Sequence, residues 1–249
     1  MIHLKSPQEL AVMRDANRVV AEILAELGAR VTSGVTTMEL NDLSESLANK
    51  HGVRPAFKGY RGFPCALCAS VNEEVVHGIP SRSRVLRQGD VISLDFGVIY
   101  RDFYGDAALT MAVGDVDDAA RALLQTAEEA LYQGVYRAVA GNHLSDISHA
   151  IQVHVERRGY SVVREFTGHG IGRSLHEDPQ IPNFGRPGMG VELKSGMVLA
   201  IEPMVNQGES AIEILQDGWT AVTRDRRLSV HFEHSVAITE NGPEILSQL

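Results

Sequence analysis

Sliding the chain against itself by 107 residues places Gly34 on Gly141 and Gly52 on Gly159. The same shift lays Gly89-Asp-Val-Ile-Ser-Leu-Asp95 over Gly196-Met-Val-Leu-Ala-Ile-Glu202, glycine on glycine and carboxylate on carboxylate. One coincident glycine pair is within chance. Four register-locked features at one offset, spread over two helices and a strand, are not. The pattern reads as an internal duplication, each half running helix–helix–strand–strand, with the halves related by approximate two-fold symmetry. The ends of the strands are then expected to meet near the pseudo-axis. No linker or low-complexity stretch divides the 249 residues, so we expect one domain made of two halves, 1–110 and 111–249.

Local signals fill in the elements. Ser6 can cap a first helix, Pro7 suits its first position, and Glu9 completes a capping box. Leu10, Met13, Val20, Ile23, Leu24 and Leu27 follow a helical period up to Gly28. A second helix is expected from about Thr37 to Lys50, with Leu40, Leu43 and Leu47 on one face. Its counterparts are expected at Val116–Ala140 and Leu144–Arg158. The second half has about 20 extra residues, because Asp95 lies 11 residues before Asp106 while Glu202 lies 31 before Glu233. That length reads as an added β-hairpin, Ile212–Leu215 and Trp219–Thr223, turning at Asp217-Gly218.

The net charge is −9 and the basic residues form no long run, so direct nucleic-acid specificity is not expected, although contact with the edge of a ribosome stays open. No stretch approaches the roughly 20 apolar residues that span a bilayer, and the N-terminus lacks a leader pattern. A cytoplasmic protein without membrane contact is expected. Its two cysteines, Cys65 and Cys68, have redox-motif spacing but sit in a loop-like stretch after Pro64, with no second pair to complete a structural zinc site. Reduced, partly buried thiols are the expectation.

The chemistry concentrates in the carboxylates. Asp95 and Glu202 each follow an apolar run, Val91–Leu94 and Val198–Ile201, so each leaves a buried strand. An ionised carboxylate there is costly unless paired or bound to a cation. A salt bridge is the plain explanation, yet Asp106 and Glu233 add two more acids and no basic residue lies near them in either strand. Four carboxylates at one axis repel unless a charge near +4 lies among them, which two divalent cations supply. His169, flanked by glycines in Thr167-Gly-His-Gly-Ile-Gly172, offers a nitrogen ligand. A phosphate-binding loop is the rival there, but G-x-G-x-G matches neither common nucleotide motif. One histidine with four carboxylates suits Mn, Fe or Co, with Zn also compatible. Two such ions about 3.5–4 Å apart can share a water and ionise it at neutral pH.

Several segments resemble one family: Ser70-Val-Asn-Glu-Glu-Val-Val-His-Gly-Ile-Pro80, Asp95-Phe-Gly, Asp106, Phe166-Thr-Gly-His-Gly-Ile-Gly172, Leu175-His-Glu-Asp-Pro179, Ile201-Glu-Pro203 and Phe232-Glu-His234. They are similar to the methionine aminopeptidases of the short bacterial type I class, from Ser6 to the C-terminus. The resemblance implies an α+β pita-bread fold, a curved antiparallel sheet backed by helices with pseudo-two-fold symmetry. It implies removal of the initiator methionine from nascent chains and peptides when the second residue is small. By the same resemblance Asp95 holds one metal, His169 and Glu202 hold the other, and Asp106 and Glu233 bridge them. Glu202 also moves the proton, while His77 and His176 steady the scissile amide and the tetrahedral intermediate. The methionine pocket maps to Tyr60, Phe63, Cys68, His77, His176 and Trp219, where a thioether packs well against rings and sulfur. Leu175 and Phe63 stand where the family often has an aromatic residue and a tyrosine. A monovalent cation near Asn72 and Ser229, transient ribosome association and a monomeric state complete what the resemblance implies.

Two rivals remain. Xaa-Pro aminopeptidases and dipeptidases share fold and metal site but usually carry a large N-terminal domain, whereas the first helix here begins at Ser6. Non-catalytic relatives typically lose metal ligands, and this chain keeps all five. Type II enzymes insert a helical segment between the positions of His176 and Glu202, where only 25 residues lie here.

Overall fold

The computed structural model describes residues 2–249. The first helix, α1 (Pro7–Gly28), starts where its box predicts: the Ser6 hydroxyl accepts from Glu9 N at 3.3 Å while the Glu9 carboxylate accepts from Ser6 N at 2.9 Å. It is followed by α2 (Thr37–Lys50), then β1 (Arg54–Pro55), β2 (Leu67–Val71), β3 (Glu74–Val76), β4 (Val91–Tyr100) and β5 (Phe103–Ala112). The second half runs α3 (Asp118–Val135), α4 (Leu144–Glu156), β6 (Ser161–Val162), β7 (Thr167–Gly170), β8 (Glu177–Pro182) and β9 (Val198–Ile201). It ends with β10 (Met204–Asn206), the hairpin β11 (Ile212–Ile214) and β12 (Ala221–Thr223), β13 (Ser229–His231), β14 (Glu233–Thr239) and β15 (Gly242–Ile245). Among the described residues no helix is long and apolar enough to cross a membrane.

The third helix is shorter than its apolar pattern suggests. Asp117 starts it, its carboxylate accepting from Ala120 N at 2.7 Å. At the far end Arg137 N and Ala138 N bond three residues back, to Gly134 O and Val135 O, which tightens the turn and stops the helix. The fourth ends at Glu156, two residues before Arg158.

The duplication is written into the backbone. Each matched glycine pair holds the same left-handed conformation: φ is 95° and 92° at Gly34 and Gly141, 68° and 82° at Gly52 and Gly159, and 90° and 92° at Gly89 and Gly196. Glycine enters this region without steric cost, which is why the residue type repeats with the turn. Thr36 and His143, also 107 apart, cap α2 and α4, each donating its backbone N–H at 2.8 Å to the carboxylate three residues on, Glu39 and Asp146. They form equivalent bridges, Thr36 to Val85 and His143 to Glu192.

The main sheet runs β1-β4-β5-β14-β9-β7-β8, with β2 also on β4 and β15 also on β14. Its pairings are antiparallel. The hairpin β4–β5 therefore mirrors β9–β14, and the axis passes between β5 and β14. That seam is short, with Glu233 opposite Ala108 and His234 opposite Ala107.

The expectation that the acids sit at strand ends needs correcting. Asp95 lies in the middle of β4, opposite Ala108 on β5 and Cys68 on β2. The hairpin continues past it to a tight turn at Arg101-Asp102, where φ is 47° and 64°, the backbone a two-residue hairpin requires. Glu202 does stand at an end. Pro203 cannot donate to a ladder and so stops β9 at Ile201.

Each half has its own core. One packs Val20, Ile23 and Leu24 of α1 and Leu40 and Leu47 of α2 against Leu67, Ile92, Leu94 and Phe96. The other packs Leu123, Ala127 and Leu131 of α3 and Ile147 and Ile151 of α4 against Leu199, Ile201 and Val236. Close approach sets the first helix: a Cβ on Gly105 would lie 3.0 Å from Ala16 C and Asn17 N. Buried Asn17 then accepts from the Asp106 backbone N–H at 3.2 Å.

On α2 the buried Asn41 accepts from both Ala66 N (2.9 Å) and Leu67 N (3.3 Å), tying the loop that leads to Cys68. Asn41→Ala leaves both N–H groups buried without acceptors, and each costs about 1–3 kcal/mol. We expect destabilisation of about 2–4 kcal/mol, read by urea unfolding; a loss under 1 kcal/mol would show that the loop finds other partners.

Candidate metal centre

The five residues singled out as ligands converge on one end of a cavity of about 280 Å³. Donor atoms of Asp106, His169 and Glu233 all lie within 4.8 Å of one another. These three residues are 4 %, 6 % and 2 % exposed, too enclosed for water to stabilise their charge. Glu202 lies beside them, its Oε1 3.5 Å from His169 Nε2, and Asp95 lines the same cavity. The strand order explains the convergence, since β5 and β14 form the seam and β4 and β9 flank it.

Burial pushes all four carboxylates up from their usual range. Asp95 is raised to about 7 by desolvation. Asp106, Glu202 and Glu233 are raised well above the ordinary value by burial first and by one another's charge second. Among the described residues the groups at ion-pair range are histidines, His169 and His231 against Glu202, and neither brings a firm positive charge. Burial lowers His169 to about 4 and His231 to about 3.

The cluster fits cations on three counts. Asp95 Oδ1, Asp106 Oδ1 and Glu233 Oε1 are buried with no hydrogen-bond partner, an arrangement that is costly unless a cation sits among them. The His169 ring donates from Nδ1 to Gly170 O at 2.9 Å, which leaves the Nε2 lone pair facing the carboxylates. The donor set itself, oxygen-rich with one imidazole, is one that divalent first-row metals take. Bare glycines bring the strands close here: a Cβ on Gly168 would meet Ala200 O at 2.4 Å, and one on Gly170 would meet Asp178 O at 2.1 Å.

Above the carboxylates the cavity is lined by Tyr60, Phe63, Cys68, His77, His176 and Trp219, all six expected there. Tyr60 Oη is 2.8 Å from His176 Nδ1, and the two rings stack. His176 lies 4.2 Å from His169, ring centre to ring centre. Phe63 meets Trp219 edge to face at 5.2 Å. His77 has φ of 61°, a sparse conformation for a residue with a Cβ, and stands edge-on to Phe166. Its turn is clamped to β2, because Gly78 N donates to Ser70 Oγ and Gly78 O accepts from Ala69 N. Burial lowers His77, and lowers His176 to about 3, so both rings are neutral near pH 7. Cys65 and Cys68 are free buried thiols, and burial raises both above the ordinary thiol value. Leu175 reaches the cavity as well.

Sequence reasoning missed Phe57, Arg61, Glu165, Phe166 and Thr167 on the cavity wall, and His231 beside Glu202. Phe166 and Thr167 adjoin the His169 motif. His231 stands two residues before Glu233, the spacing at which a strand repeats its face; that signal was available.

Comparison with known proteins agrees with this geometry. The model of metallopeptidase family M24 matches residues 11–240. A methionine aminopeptidase of Clostridium acetobutylicum is 50 % identical over 99 % of both chains. The crystal structure of methionine aminopeptidase from Thermotoga maritima superposes with a TM-score of 0.99 at 46 % identity, covering all of both chains. Prolidase from Pyrococcus furiosus, at 23 % identity and a TM-score of 0.81 over 99 % of this chain and 65 % of its own, shares the fold. The pita-bread architecture is thus confirmed, and the chain belongs to metallopeptidase family M24 and, within it, to the type I methionine aminopeptidases.

Proposed function

We propose that the protein hydrolyses the first peptide bond of chains that begin with methionine, releasing the initiator residue when the next side chain is small. The observation that carries this reading is the junction of a carboxylate-and-histidine cluster with an aromatic, sulfur-lined cavity in one space. Asp106 and Glu233 would bridge two divalent ions, with Asp95 on one and His169 and Glu202 on the other. When bound, such ions supply Lewis acidity and bring the ionisation of water close to neutral pH.

The chain's own groups do the rest. Tyr60, Phe63, Cys68 and Trp219 enclose an unbranched thioether, which packs favourably against ring edges. The acidic end of the cavity suits a free α-amino group and so restricts cleavage to the terminal residue. With Tyr60 Oη–H donating to His176 Nδ1, the His176 ring carries its proton on Nε2 and donates toward the carbonyl oxygen as charge develops on it. His77, held by its clamped turn, steadies the scissile amide. Glu202 accepts a proton from the attacking water and passes it to the leaving amine, so the peptide gains one water and yields methionine and a shortened chain.

Mn, Fe, Co and Zn all suit the donor set. A monovalent cation near Asn72 and Ser229, two residues joined by a backbone hydrogen bond from Ser229 N to Asn72 O at 2.9 Å, is part of the same reading. A cytoplasmic monomer that visits the ribosome transiently, working as one domain, fits a substrate that is the start of a nascent chain.

The test is hydrolysis of Met-Ala-Ser against Ala-Pro-Ala by the purified protein, titrated with each metal under anaerobic conditions. We expect cleavage of the methionine peptide only, abolished by chelator. Cleavage of only the proline peptide would move the protein to the prolidase branch. Neither cleavage nor metal uptake would make it a binding module.

A further inference from the structure

None of the roles above uses His231, which is 2 % exposed and belongs to β13. Its backbone is clamped from both sides by one hydroxyl. Thr110 Oγ1 donates to His231 O at 2.6 Å and accepts from His231 N at 2.9 Å. Since Thr110 has a single hydroxyl proton, Ser93 Oγ at 2.8 Å donates to Thr110. The backbone that carries the ring is therefore held by β4 and β5, the strands that carry Asp95 and Asp106.

From that fixed point, His231 Nε2 lies 3.7 Å from Glu202 Oε2 and is buried with no hydrogen-bond partner. The other oxygen, Oε1, lies 3.5 Å from His169 Nε2. The Glu202 backbone is fixed too, its carbonyl accepting from buried Asn183 at 3.0 Å. The carboxylate thus stands between two imidazoles with different duties. His169 spends its Nδ1 proton on Gly170 O and offers a lone pair to a cation. His231 has a nitrogen facing an acceptor, and a buried nitrogen is costly to leave unpaired.

We infer that His231 is a positioning residue, which carries its proton on Nε2 and, when the 3.7 Å gap closes by about 0.7 Å with the carboxylate drawn onto a cation, donates it to Glu202 Oε2. Oε1 is thereby left free for the cation held with His169. The inference rests on the reading of Glu202 as ligand and proton carrier. It divides the two oxygens of one carboxylate between an orienting bond and the reaction, as partners of metal ligands commonly do.

The test compares His231→Gln with His231→Asn. Both are polar and uncharged, but only the glutamine amide nitrogen reaches the position of Nε2. Metal-free protein is titrated calorimetrically with Mn²⁺, and kcat and KM are measured on Met-Ala-Ser. We expect the Gln variant to stay within about threefold of the parent in metal Kd and kcat, and the Asn variant to lose about tenfold or more in both, with KM little changed. Equal losses in the two variants overturn the inference. So does an Asn variant that only melts earlier, with Kd and kcat intact. The titration needs no substrate, so a parent that cleaved no peptide would sink the aminopeptidase reading and leave this one decided by Kd.

Discussion

Glu202→Gln, loaded with metal and folded, is expected to lose about 10²–10⁴-fold in kcat on Met-Ala-Ser, the range that removal of a positioned acid–base group produces. Glutamine keeps the volume and one carbonyl oxygen, so the packing beside His169 and His231 survives. What goes is a group that can take a proton and return it. KM is expected to move far less, because the aromatic wall of the cavity is untouched. Metal content must be measured alongside, since the substitution also removes one unit of ligand charge. A variant with full metal and near-parental turnover would falsify the role given to Glu202.

The second large effect concerns the protein stripped of metal. Asp95 is raised to about 7, and Asp106, Glu202 and Glu233 are raised well above the ordinary carboxylate value. Unfolded carboxylates titrate near 4, roughly three units lower than Asp95 here. Between these limits the folded state binds more protons than the unfolded one, so stability increases as pH falls. Four histidines act in the opposite sense, of which His169 and His231 are buried, His234 is half-buried and His176 is exposed and so contributes least. His169, His176, His231 and His234 are lowered to between about 3 and about 4. Their stabilisation is complete above the unfolded value near 6.5 and is lost below it. The carboxylates therefore act alone between about pH 8.5 and 6.5, and the histidines offset them further down. Metal-free protein should melt higher at pH 6.5 than at pH 8.5, by a difference on the order of a few kcal/mol, and gain little on further acidification. Metal must reverse the slope, because protons and cations compete for the same oxygens. Scanning calorimetry from pH 5 to 9, with chelator and with Mn²⁺, checks both. A metal-free melting temperature that falls steadily from pH 8.5 to 6.5 would contradict the buried-charge account.

The candidate ligands are legible because the chain states four of them in two pairs. Asp95 with Glu202 follows from register alone, and Asp106 with Glu233 follows once the 20 extra residues around the added hairpin are allowed for; the glycines betray the register because a left-handed turn admits little else. Position within a strand was less legible. Nothing local says that β4 continues five residues beyond Asp95 while β9 stops at Ile201, just before Glu202, until Pro203 is weighed as a break in the ladder. The end of α3 was misjudged for a similar reason, since the apolar period continues past the point where the backbone tightens. The cavity wall came from resemblance, because Tyr60, Phe63, Cys68 and Trp219 meet only through tertiary packing. His231 carries no local signal beyond its strand spacing from Glu233, and its contact with Glu202 crosses 29 residues of chain.

The short seam has a mechanical consequence. Within the main sheet the two halves touch at only the Ala107–Ala108 and Glu233–His234 pairs, β3 and β12 pairing apart from it, and two of the candidate ligands, Asp106 and Glu233, sit on those same strands. A cation shared by them is a rivet across a perforation. With the rivet out, the seam keeps only those two pairs of the main sheet, while a shared cluster of Met13, Phe57, Phe103, Ile171, Leu175 and Val198 still joins the halves, so opening is confined to the seam strands. Hydrogen exchange should then show the amides of β5 and β14 losing protection on chelation before those within either helical layer, and uniform loss throughout would mean the halves never act apart. Metal supply would set how far the molecule behaves as one cooperative body, as well as whether it turns over substrate.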